Sequence, residues 1–116
     1  MEITLSSAAH IRMIQLLNFY PCETRGTIKL IDRLGSLFDL TDDEKAELDY
    51  REETTTAGQG RTLFRADLTL EREVSQADAD QLARVIQSPP ATVPWTRSIL
   101  PIYRELLAAF GHEEDA

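Results

Sequence analysis

The chain has 116 residues, 42% of them hydrophobic, and its 20 acidic against 12 basic side chains give a net charge of -8. One domain of this size can bury enough apolar surface to fold without metal or disulfide staples, and it is too apolar to be disordered throughout. Its single cysteine, its two histidines near opposite ends and its acidic balance exclude a disulfide framework, a multi-cysteine metal site and bulk attraction to duplex nucleic acid.

Met1, Ile3 and Leu5 alternate with Glu2 and Thr4, the period of a short half-buried strand. Ser6 or Ser7 then offers a hydroxyl to the orphan amides of a helix over 8–19, whose apolar stripe is Ile11, Met13, Ile14, Leu16 and Leu17. Pro21 stops that helix, and a connector through Arg25-Gly26 leads to a second one over 27–38 with Ile28, Ile31, Leu34, Leu37 and Phe38. Gly35 costs this helix about 1 kcal/mol relative to alanine, which points to close packing of its backbone against a neighbour. Thr41-Asp42-Asp43-Glu44 reads as a capping box opening a third helix over 42–53, acidic in its first turn and poor in apolar positions.

Residues 54–61 are polar, with Gly58 and Gly60, and read as a loop. Phe64, Ala66, Leu68 and Leu70 alternate with Arg65, Asp67, Thr69 and Glu71, which predicts a strand over 62–74. Ser75 or Gln76 opens a helix over 77–87, and a connector with Pro89, Pro90 and Pro94 leads to a last helix over 95–110. Pro101 fits its first turn, Gly111 its C-terminal cap, and 112–116 form a frayed acidic tail.

The order strand, serine cap, helix, proline-containing connector, helix occurs twice. At an offset of 69, Leu5 falls on Val74, Ser6 on Ser75, Met13 on Leu82 and Leu17 on Ile86. At an offset of 72, Thr24 falls on Thr96, Arg25 on Arg97, Leu34 on Leu106 and Phe38 on Phe110. The expected fold is therefore a single α+β domain over 1–116, predominantly helical, with about five helices on a small antiparallel two-stranded sheet. A strand-helix-helix pseudo-repeat relates halves at about 1–38 and 68–111, with 39–61 as an insertion. A strand over 62–74 would far outrun its five-residue partner, and an unpaired edge of that kind invites a homodimer or another protein.

Two sets of residues are candidates for function. Thr24, Arg25, Gly26 and Thr27, and likewise Thr96, Arg97 and Ser98, place an arginine and hydroxyls at helix starts, an arrangement suited to a phosphate, a nucleotide or a partner carboxylate. The second set is the charge run at 39–53, where eight acids face Lys45 and Arg51 alone, so that -6 of the total charge lies there. Its helical acids Asp42, Asp43, Glu44 and Glu47 form a carboxylate array able to enter a basic groove on another protein. Ser6, Ser7 and Ser75 are accounted for as caps, His10 and Cys22 have no adjacent base or acid, and adjacent acid pairs do not face one another on a helix. No nucleophile, base and orienting group come together, so neither an enzyme nor a cofactor is expected. The absence of any apolar run near 20 residues, with Glu2, Ser6 and Ser7 at the start, points to a cytoplasmic protein without membrane contact.

The short first strand, a helix ending in Asn18-Phe19, the Arg25-Gly26 connector, a leucine-rich second helix and a charged third helix together resemble small uncharacterised tailed-phage accessory proteins, over about the first half of the chain. The resemblance implies a phage or mobile-element origin, and host cytoplasm as the site of action, without implying a reaction. The leading expectation is a non-enzymatic protein that binds another protein, host or phage, as an inhibitor or adaptor. A module sequestering a small anionic ligand and a virion assembly component are the alternatives.

Overall fold

The computed structural model describes residues 2–54, 58, 60–91 and 93–110. Strand β1 (Glu2–Ser6) leads into α1 (Ser7–Asn18), then α2 (Arg25–Phe38) and the short α3 (Asp42–Leu48). A hairpin of β2 (Arg51–Thr54) and β3 (Gly60–Leu63) follows, then β4 (Thr69–Glu73), α4 (Gln76–Gln87), a 3₁₀ turn (Arg97–Ile99) and α5 (Leu100–Ala109). β1 and β4 pair antiparallel along their full length, from Glu2 opposite Glu73 to Ser6 opposite Thr69. This is the α+β architecture that the sequence implies, and the second two-stranded sheet is an addition to it.

The central ribbon buries one face. Ile3, Leu5 and Leu70 point inward while Glu2, Thr4, Thr69, Glu71 and Glu73 stay in water, the alternation a one-sided sheet requires. Two strands alone are marginal, and here α1, α2 and α5 pack on them while α4 completes the core. The core joins Ile3 and Leu5 with Met13, Leu16, Leu34, Phe38, Leu82, Ile86, Leu106, Leu107 and Phe110.

Cap chemistry fixes where the helices begin. The Ser6 hydroxyl accepts from the Ala9 amide, Ser75 from Asp78 and Thr24 from Thr27, which satisfies donors that a helix start leaves orphaned. Ser6 and Ser75 stand 69 residues apart and each opens a helix of 12 residues. Each second helix packs on the first helix of its own half and also reaches the strand of the other: α2 packs on β4, and α5 on β1. Polar links follow the same crossing. Arg33 on α2 donates to both carboxylate oxygens of Asp78 in the first turn of α4, at 2.7 Å each. Glu105 on α5, 72 positions after Arg33, accepts from the Ser6 amide at 2.7 Å and the Ser6 hydroxyl at 2.8 Å.

The helix expected over 95–110 begins only at Leu100, after the 3₁₀ turn, and three further expectations need correction. The third helix ends at Leu48, not near residue 53, because Asp49 turns into the left-handed region (φ 53°, ψ 42°) and the chain continues as a strand. The polar loop expected at 54–61 is the end of a hairpin, since Thr54 pairs with Gly60 and Glu53 with Arg61; residues 55–57 and 59 lie outside the described set. The strand expected over 62–74 breaks at 64–68. There the Arg65 amide donates to the Leu48 carbonyl, and the Arg65 and Leu68 carbonyls accept from the Ser7 hydroxyl and amide, so these groups are engaged away from the ladder. β4 is thus no longer than β1, and the overhanging edge that motivated a homodimer does not exist. The caps and tail expected at 111–116 lie outside the described residues.

Candidate functional site

The acidic stretch forms a limb built outward from one buried residue. Leu48 is fully buried and is the one buried side chain of α3. Thr41 and Glu44 complete the capping box, the Thr41 hydroxyl accepting from the Glu44 amide at 3.1 Å and the Glu44 carboxylate from the Thr41 amide at 3.0 Å. With its base fixed, α3 presents Asp42, Asp43 and Glu47 to solvent, and Asp49 follows at its end. β2 is exposed along its whole length and adds Glu52 and Glu53. Local pairs are present but solvated: Asp49 with Arg51, Glu53 with Arg61, and Tyr50 donating to Glu52.

Glu44 does not belong to the exposed array. Arg72 on β4 donates to both its oxygens, at 2.8 and 2.6 Å, and the two side chains retain 17% and 18% exposure. The same guanidinium donates to the carbonyls of Leu37, Asp39 and Glu71, closing the C-terminal end of α2. The Arg72 hydrogen bond holds the Glu44 carboxyl at about 2, against its own partial desolvation. Spacing along the chain could not identify the partner, because Arg72 lies 28 residues away, although the alternation places its charge on the inward face with Leu70.

The arginine pair fares differently. Arg25 and Arg97 are exposed, and neither makes an ion pair among the described residues. The Thr24 and Thr27 hydroxyls bond one another at 2.9 Å, as do those of Thr96 and Ser98 at 3.0 Å. The hollow beside Thr24 and Thr27 is shared with Glu23, a carboxylate where an anion would sit. Arg97 opens only a three-residue turn, and α5 itself starts at Leu100 with no side-chain cap. Nothing at either position converges on a ligand.

His10 is fully buried. Its Nε2 donates to the Phe38 carbonyl at 2.8 Å, which leaves Nδ1 as a buried acceptor without a partner. Burial is the main cause that lowers its pKa, with Arg72 adding to the effect and Glu44 and the Phe38 bond opposing it. Cys22 is exposed and its Sγ contacts the Tyr20 carbonyl at 3.4 Å. Among the described residues no cluster of His, Cys, Asp and Glu has the geometry of a metal site, and no helix is long and apolar enough to cross a membrane.

Comparisons with protein-family models, curated proteins and solved structures found no match.

Proposed function

We propose that this chain is a non-enzymatic interaction protein of phage or mobile-element origin, which engages a basic surface on another protein through its acidic limb. The observation that carries the reading is the placement of Asp42, Asp43, Glu47 and Asp49. All four are solvent-exposed on a segment tethered by Leu48, by the Arg65 amide and by Arg72, so the carboxylates are displayed on a fixed base. A preset array of one sign raises the rate of encounter with a cationic groove and rejects acidic partners. The tailed-phage resemblance of the first half supports the origin. Action as an inhibitor or adaptor in the host cytoplasm is the form this binding takes. Homodimerisation is not part of the proposal, since its motive was the strand edge that is absent.

The test is capture from bacterial lysate by the native chain and by the triple variant Asp42→Lys, Asp43→Lys, Glu47→Lys, each at low and high salt. Glu44 stays native because it is structural. A partner held by the limb is captured by the native chain at low salt, elutes as salt rises and is lost by the variant. A partner captured equally by both chains at both salt concentrations overturns the proposal.

A further inference from the structure

The face of α2 that leaves the core carries an opening. Leu17, Asn18, Tyr20 and Cys22 from the end of α1 and its connector, with Ile28, Ile31, Asp32, Gly35, Ser36 and Asp39, line a solvent-open hollow of about 300 Å³. Ile28, 53% exposed, lies on its rim, and Phe19, 60% exposed, immediately follows Asn18; these are the large apolar side chains left most bare among the described residues. Positions 28, 31, 32 and 35 share one face of α2, and Asp39 follows at its C-cap.

Gly35 is the informative residue. A glycine inside a helix is expected to admit a close neighbour, yet a Cβ built at Gly35 meets nothing within 4 Å. The chain itself does not use the space that the missing side chain opens. The hollow is also charged in one sense only: its lining includes Asp32 and Asp39 and no lysine or arginine, and neither carboxylate has an ion-pair partner among the described residues.

We infer that this groove receives the apolar face of a cationic amphipathic helix, an aliphatic side chain seating over Gly35 while flanking lysines or arginines meet Asp32 and Asp39. Helix-in-groove docking combines an apolar contact, here the exposed Ile28 beside the gap at Gly35, with a charged rim. A second copy of the chain, with a net charge of -8, would bring like charge to an acidic rim. An open hollow also suits a side chain presented by a macromolecule better than a small molecule, which needs most of its surface enclosed. The inference rests on the proposed basic partner and supplies the apolar anchor that carboxylates alone lack.

The probe is a synthetic amphipathic helical peptide with leucines along one face and lysines elsewhere, compared with a control in which serine replaces each leucine. Both are titrated into the full, isotopically labelled chain, and backbone amide shifts are followed. The leucine peptide is expected to bind about tenfold tighter or more, the effect of burying one leucine side chain, with shifts at Leu17, Ile31 and Gly35. Gly35→Leu, which fills the groove, removes that advantage. Should that variant fail to fold, Ile28→Ser at the exposed rim reads the same loss. Equal binding of both peptides, with shifts confined to Asp42, Asp43 and Glu47, overturns the groove and leaves the acidic limb standing. Groove binding that survives while reversal of the limb changes no partner capture overturns the limb alone. If neither peptide binds at low salt, the groove falls, and the limb is judged by the lysate capture alone.

Discussion

The phenyl rings of Phe38 and Phe110, 72 residues apart at corresponding positions of the two halves, meet edge to face with centroids 6.3 Å apart and planes at 84°. Both are fully buried, and the His10 ring packs edge-on against Phe38 at 5.3 Å. The ends of the two second helices therefore close on each other at the centre of the core. Replacing either phenylalanine with alanine should cost about 3–5 kcal/mol in urea-induced unfolding. The double replacement should cost less than the sum, because the second truncation has no ring left to lose contact with. Additive losses would show that the two rings act independently.

Glu44 gives an acid-dependent term. Its carboxyl sits at about 2 when folded and near the ordinary 4.5 when unfolded, so the unfolded chain takes up the proton first. The stabilisation is complete above about 4.5 and disappears as pH falls through about 2. Glu44→Gln should lose about 2 kcal/mol at neutral pH, the scale of a charged hydrogen bond. The gap between variant and native chain should narrow progressively in acid, as measured by urea midpoints across that range.

His10 acts higher on the pH scale. Its folded pKa lies below the ordinary 6.5, so stability is intact above 6.5 and declines below it as the unfolded chain binds the proton in preference. The positive charge would form beside Arg72, with Glu44 already engaged by that same arginine. His10→Gln should flatten the decline between neutral and mildly acidic pH while keeping a donor for the Phe38 carbonyl. Thermal melting temperatures of the two proteins should therefore converge as pH falls below 6.5.

Gly35→Ala should stabilise the chain by about 1 kcal/mol, since the methyl group meets open space and alanine is the better helix former. Guanidinium titration at neutral pH reads this directly. A loss of stability would mean that the helix backbone is crowded after all.

What sequence could reveal was governed by distance along the chain. The serine and threonine caps, the capping box and the apolar stripes of α1, α2, α4 and α5 are local, and their residues were legible as they stand. The side-chain alternation expected from Phe64 to Leu70 fails at Ala66, which is exposed, because a strand needs backbone partners, and those of Arg65 and Leu68 are taken by Leu48 and Ser7. β2 was hidden because Glu52 and Glu53 read as part of a helix, while antiparallel pairing with Thr62 and Arg61 decided otherwise. In the acidic segment, Asp42, Asp43 and Glu47 are displayed as their charge implies. Glu44 is withdrawn by Arg72, a contact with no local signature.

The crossing of α2 and α5 between the halves has a consequence for the order in which the molecule comes into being. When only the first half has been made, β1 has no strand to pair with, and Phe38 meets His10 but lacks the Phe110 ring. The lasting enclosure of Leu5 and Leu34 waits for β4 and α5, which are made later. Neither half therefore completes its own core, and the acidic segment between them links two partners that must meet before either is fully enclosed.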